Sequence, residues 1–378
     1  MTNFLIIAGK FIHRTLAATM IIAILQFISS DSRLFAQNKD DFKPSWEFGG
    51  TVFLDYFYKI NGDTIYSGTA DYAKTEKDFQ AFSFRRVIFG ARYNFAENIS
   101  ANTAIEANDL LTSTSGDRLF FVKFANAEFR KIFKYSKLLA GLSSTPTYSI
   151  NAEPVWGYRS IEKTITDMRG LGASTDLGVM LTGNFSKDEM FGYSLMIGNG
   201  RGTKIATNKG KKFYGSLFGR FAGKKLITEI YSDYFFEPTD KSKITLKGFV
   251  GYTDESFAAG VEVIKQQQMN YYKDTADISP FGVSVFASAV LTKGKLKAFA
   301  RYDFFDNDTD FEQGRSYAIQ NYFKENFITL GIDYMPIKQL HIMPNIWINT
   351  YTDKRTTGAI ERKPDVVGRV TMAYFLVP

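Results

Sequence analysis

The chain has no cysteine among its 378 residues, which excludes disulfides, zinc–thiolate sites and thiol nucleophiles. Histidine is nearly absent too, with His13 near the N-terminus and His341 near the far end. A single histidine at position 341, with Asn345 four residues on and no carboxylate cluster at ligand spacing, offers neither a metal motif nor a catalytic pair. No enzymatic activity and no cofactor are therefore expected. Long apolar runs are missing as well: beyond residue 36 nothing approaches the roughly 20 apolar residues of a membrane helix.

What is present is aromatic and half-polar. There are 36 Phe and 21 Tyr, yet 22% of residues are charged and the mean hydropathy is −0.16. At the N-terminus, Lys10, His13 and Arg14 precede the run LAATMIIAILQFI, and SRLFAQ follows. A basic segment, an apolar segment and a small residue read as a secretory signal over residues 1–36 with cleavage after Ala36. Its loss lowers the net charge from +7 to +5, because it carries Lys10, Arg14 and Arg33 against Asp31. Residues 37–378 then form one domain. Only QNKDDFKPS separates the cleavage site from the first strand, too little for a plug domain.

The stretch KLKAFARYDFF, 295–305, sets the pattern. Lys295, Lys297, Arg301 and Asp303 share one parity with Phe299, while Leu296, Ala298, Ala300, Tyr302 and Phe304 share the other. Successive side chains on a strand point to opposite faces, so this strand has one charged and one apolar face. The same alternation recurs in Trp46–Tyr56, Val87–Phe95, Leu177–Phe185, Phe191–Ile197, Phe213–Phe221, Ile244–Tyr252, Val283–Leu291, Ile328–Tyr334, Ile342–Ile348 and Val366–Tyr374. Weaker segments near 99–107, 119–131, 138–145, 226–236 and 257–265 bring the count to 16.

Connections alternate short and long. AEN, KYS, SKDE, AGKK, TDES, TKGK and PIKQ are short; 59–79, 109–118, 146–172, 199–211, 237–243, 266–280, 306–325 and 350–364 are long. That rhythm predicts an all-β fold: a transmembrane antiparallel β-barrel of about 16 strands, with short periplasmic turns and long extracellular loops. Tyr93, Phe95, Phe185, Phe191, Phe221, Tyr334 and Tyr374 gather beside the short turns, as an interfacial girdle does. The Leu296 face then meets lipid and the Lys295 face lines water. An outer membrane of a Gram-negative cell follows.

A barrel of this size encloses an aqueous channel. Arg86, Arg92, Arg130, Arg220, Lys247, Lys297, Arg301 and Arg369 fall on the inward parity, with carboxylates in nearly equal number. Selectivity then depends on what narrows the channel, because charges act strongly only within a Debye length of about 8 Å. The longest connection, 146–172, is the constriction candidate. Ile161, Ile165 and Met168 are spaced as one face of a short helix, and Arg159, Lys163 and Arg169 outnumber Glu162 and Asp167. Arg offers a planar fork suited to phosphate or carboxylate, Lys a point charge.

The chain resembles the outer-membrane porins of the phosphate-selective porin O and P type. The resemblance rests on FSFRRVIFGARYNF (82–95), on VWGYRSIEKTITDMRGLGAS followed by TDLGVMLTG, and on the rhythm through to VVGRVTMAYFL. It implies a 16-stranded barrel, usually trimeric, that passes small anions, with Arg159, Lys163 and Arg169 in the constriction. No ordered ladder of lumen arginines matches residue by residue, and the chain ends in YFLVP rather than Phe. Expected partners are small hydrophilic solutes, anions such as phosphate among them, and outer-membrane lipid, with no nucleic acid. Phe53, Phe57, Phe124, Phe249 and Phe299 point inward, so an organic-solute channel or a plugged structural barrel stays as the alternative. Two motifs lack their context. Ser160-Ile-Glu-Lys163 has the S-x-x-K spacing without its companions, and GNGRGTK (198–204) lacks phosphate-loop spacing.

Overall fold

In the computed structural model, which describes residues 42–65, 75–272, 276–314 and 318–376, the alternating segments pair edge to edge into one closed sheet. The chain divides into Met1–Pro44 and Ser45–Pro378. The signal segment expected at 1–36 lies outside the described residues.

The strands are β1 (Ser45–Asn61), β2 (Gln80–Ala96), β3 (Ile99–Thr112), β4 (Arg118–Arg130), β5 (Ser136–Ser144), β6 (Thr175–Asn184), β7 (Phe191–Gly198), β8 (Lys211–Phe221) and β9 (Leu226–Phe236). They continue as β10 (Ser242–Thr253), β11 (Phe257–Tyr272), the short β12 (Ala276–Ile278), β13 (Phe281–Thr292), β14 (Leu296–Asp306), β15 (Phe323–Ile337), β16 (Leu340–Asp353) and β17 (Asp365–Leu376). Sixteen of the 17 run through the wall; β12 pairs with the end of β11 inside a connection. Every long strand is antiparallel to its neighbours, and β17 returns to β1 with Arg369 opposite Phe57. Closure leaves no unpaired edge, the condition for a sheet to cross hydrocarbon.

The two parities separate as read from the sequence. On β14, Tyr302 is exposed on the outside while Phe299, Arg301 and Asp303 are buried within. Phe48, Leu217, Ile230, Leu246 and Leu330 likewise face outward, where lipid covers them. Near the short turns the outer aromatics touch one another: Trp46 with Tyr93 at 4.6 Å, Tyr93 with Phe95 at 4.7 Å and Phe191 with Phe221 at 5.6 Å.

Several connections are shorter than expected. Those sought at 109–118, 237–243, 266–280 and 350–364 shrink to 113–117, 237–241, 273–280 and 354–364, because β3, β10, β11 and β16 extend past the clear alternation. The connection between β5 and β6 stays long, and it contains two short helices, α1 (Ala152–Trp156) and α2 (Ile165–Met168).

Candidate functional site

The β5–β6 loop folds into the barrel. Tyr148, Val155, Trp156, Tyr158 and Ile161 are buried against Phe53, Phe249, Phe286, Phe299 and Met343, all inward side chains of the wall. Ile165 packs with Ile264 and Phe305, and Met168 with Phe57, Phe327 and Trp347. Gly282 makes room for this approach: a Cβ there would lie 2.8 Å from Ile165 Cδ1. The three apolar residues spaced like one helical face therefore reach three different clusters, since the helix begins only at Ile165. Phe249 and Phe299 lie under the loop's aromatics, with the Phe299 ring 4.4 Å from Tyr158.

Irregular backbone inside a barrel needs partners for its carbonyls, and wall arginines supply them. Arg85 donates to Ser160 O and, at 3.2 Å, to Ile161 O; Arg369 donates to Ile161 O at 3.1 Å; Arg301 donates to Lys163 O. Side chains add Thr166 to Glu262 and, at 3.1 Å, Trp347 Nε1 to Glu162 Oε2. The loop packs chiefly on wall strands β1, β9–β11 and β13–β17, and free space lies along the β2–β4 side.

That space is a cavity of about 650 Å³. Its lining carries seven cations, Arg85, Arg86, Lys123, Arg159, Lys163, Arg201 and Lys204, against Glu106, Glu162 and Asp167. Two cations owe their place to β-bulges. Phe53 pairs with Arg86 but Leu54 with Phe84, so Arg85 is the extra residue and turns inward beside Arg86. On β4, Ala104 pairs with Phe124 and Ile105 with Val122, so Lys123 is extra in the same way. Strict alternation would aim both at lipid, and neither was among the inward cations expected from sequence. A charge at a lipid-facing position in mid-strand is itself the signal that was available, since such a position costs roughly 2–4 kcal/mol.

The expected constriction residues have three different situations. Arg159 lines the cavity and is tied within its own loop to Glu153 and, at 2.6 Å, to Asp167. Lys163 lines the cavity, partly exposed. Arg169 is buried against the wall, paired with Glu325 at 2.5 Å and stacked 4.9 Å from the Phe305 ring, outside the cavity lining. The loop carboxyls feel these cations. Burial pushes Asp167 and Glu162 up, but Arg159 and Lys163 around Asp167, and Arg85, Arg369 and Lys163 around Glu162, hold both below the ordinary carboxylate range.

The wall cations also divide. Arg86 lines the cavity and pairs with Glu106 at 2.8 Å, which Lys123 approaches at 3.4 Å. Toward the short-turn end, Arg92, Arg130 and Lys137 share one buried carboxylate, Glu128, at 3.5, 3.7 and 3.0 Å. Arg220 donates to Asn184 at 3.3 Å and stacks 4.5 Å from Phe218. Lys247 is fully buried with Glu229 at 2.8 Å, and Lys297 lies opposite Asp333 in register. Arg301, paired with Asp303, and Arg369, which donates to Asn345 at 2.8 Å, serve the loop rather than the cavity. His341 sits against Asp333 at 2.9 Å. Among the described residues no group of three or more His, Cys, Asp or Glu is placed to hold a metal ion.

No family profile matches the chain, and no curated protein does. Solved structures match in fold. The outer membrane channel DcaP of Acinetobacter baumannii superposes with a TM-score of 0.64 at 12% identity, over 90% of this chain and 100% of that one. The anion-selective porin from Comamonas acidovorans gives 0.60 at 14% identity, over 88% and 100%. Salmonella typhi OmpF, solved in complex with daunomycin, gives 0.60 at 10% identity, over 88% and 97%. The fold is thus that of the outer-membrane porin barrels.

Proposed function

We propose that the protein is a diffusion porin that passes small hydrophilic solutes, with a preference for anions, and performs no covalent chemistry. The observation that carries this reading is the cavity left between the infolded loop and β2–β4, with its seven cations against three carboxylates. Below it the same wall continues basic. Arg92 follows Arg86 by six residues, roughly 20 Å along β2, and opens onto the cluster that shares Glu128. An anion leaving the cavity toward the short-turn end stays beside cations, and partial dehydration against fixed charges is how such a passage discriminates. The neighbour from Comamonas acidovorans, which is anion-selective, supports the direction of the preference. Phosphate as the natural solute, and a trimer as the assembly, remain parts of the proposal that rest on the resemblance to phosphate-selective porins.

The test is the reversal potential of the purified protein in a planar bilayer under a potassium chloride gradient. Stable conductance steps with a potential on the chloride side are the expected result. A potential on the potassium side removes the anion preference. No conductance from folded, inserted protein removes diffusion altogether.

A further inference from the structure

The run GNGRGTK, 198–204, enters the count of cavity cations only through Arg201 and Lys204. It belongs to the connection between β7 and β8, and it does not lie free on the surface. Gly200 through Lys204 line the same cavity as Arg86 and Lys123. The cause is Asp176 on β6, which is fully buried. Its Oδ2 accepts the Gly200 N–H at 2.7 Å and the Tyr214 hydroxyl at 2.8 Å, and its Oδ1 accepts the Arg201 N–H at 3.3 Å. Gly200 has φ +66°, and a Cβ there would come 2.5 Å from the Phe235 ring, so this close seat is open to glycine alone. One carboxylate thereby fixes the backbone of a basic loop over the cavity.

The pairing of the cavity's cations gives that loop its importance. Arg85 answers to Asp55, Arg86 and Lys123 to Glu106, and Arg159 to Glu153 and Asp167. Among the described residues, Lys163, Arg201 and Lys204 have no carboxylate within ion-pair distance. Arg201 donates from Nη2 to Thr207 at 3.3 Å, while its buried Nε has no hydrogen-bond partner. The cavity cations with no carboxylate within ion-pair distance thus come from two loops, while on the wall Arg86 and Lys123 share the single carboxylate of Glu106.

We propose that Arg201 and Lys204, together with Lys163, form a binding site for the oxyanion group of a passing solute, carboxylate or phosphate, and that Asp176 is the positioning residue that holds the β7–β8 arm of this site. The inference rests on the diffusion reading for its route, but it singles out three of the seven cavity cations as the ones that bind the solute. The planar guanidinium of Arg201 suits an oxyanion better than a spherical ion.

The experiment compares wild type, the double variant Arg201→Gln/Lys204→Gln, and Asp176→Ala in planar bilayers. Two quantities are read: the reversal potential in potassium chloride, and the block of chloride current by added inorganic phosphate and, separately, by glutarate. Block of wild type is expected, weakened roughly two- to fivefold in the double variant, the scale of a partly exposed ion pair. The reversal potential moves toward potassium in the double variant. Asp176→Ala moves the potential the same way with both cations still present, although loss of its carboxylate would by charge alone move it toward chloride. Block by phosphate alone assigns the site to free phosphate, and block by glutarate alone assigns it to organic acids. A wild type blocked by neither, or a double variant that matches wild type in both readings, overturns the site and leaves the general anion preference standing. If wild type shows no anion preference yet loses block in the double variant, the site stands and the preference falls.

Discussion

Arg85 and Asp55 meet at 2.5 Å inside the barrel, on neighbouring strands, although alternation counted from Arg86 would turn Arg85 toward lipid. The bulge that reverses Arg85 gives it two tasks at once. It neutralises the fully buried Asp55 side chain, and it holds the loop carbonyls of Ser160 and Ile161.

Arg85→Ala is therefore expected to destabilise the barrel by roughly 3 kcal/mol, the scale for removing one partner of a buried ion pair. Urea unfolding in micelles reads the loss directly. Arg130→Ala serves as control, because Arg130 is a third exposed and shares its carboxylate with two other cations. An equal loss in both variants would contradict the special position of Arg85.

The loop packing predicts a fixed constriction. Since the chain has no cysteine, Thr166→Cys/Glu262→Cys places a unique pair where two side chains now share a hydrogen bond. Oxidation is expected to leave single-channel conductance unchanged, while replacing residues 147–172 by a short linker raises it several-fold. A conductance that falls on oxidation would mean that the loop leaves the lumen in the open state.

Tryptophan fluorescence separates the two faces. Trp46 is 59% exposed on the lipid side, whereas Trp156 and Trp347 are buried and both bind Glu162 through Nε1, at 2.8 and 3.1 Å. Brominated lipid should quench the wild type, and the quenching should vanish in Trp46→Phe. Residual quenching comparable with wild type would place an inner indole at the lipid.

The pH dependence follows from the loop carboxyls. Asp167 and Glu162 are held below the ordinary range, so their contribution is complete above ordinary carboxylate values and is lost only as pH falls through the lowered ones. Reversal potential should stay level from neutrality to roughly pH 5. Below the ordinary range it should move further toward chloride, as Asp167 and Glu162 lose their negative charge and Arg159 its Asp167 partner. A movement toward potassium on acidification would contradict the assignment.

Lys123→Gln removes the second bulge cation while Arg86 remains to neutralise Glu106. The barrel should fold, and chloride preference should fall by a factor of about two, as for one partly screened charge. Reversal potential under the same gradient checks it.

Much of this protein was legible along the chain. Period-two alternation is a property of each strand by itself, so KLKAFARYDFF declares its two faces without reference to any neighbour. Turn spacing and the aromatic girdle are local too, and together they determined an antiparallel barrel of 16 wall strands with one long loop at 146–172. Three matters were decided only in the tertiary structure. Whether Arg85 and Lys123 face water depends on the partner strand, because a bulge exists only as a mismatch between two registers. Whether the loop enters the lumen depends on wall arginines from β2, β14 and β17 that lie far apart in sequence and converge on Ser160, Ile161 and Lys163. Which cations remain without a counter-charge depends on pairings such as Arg169 with Glu325, 156 residues apart. Alternation fixes the face of a regularly paired side chain; only the closed barrel sets the bulges that override it and brings each side chain to its partner.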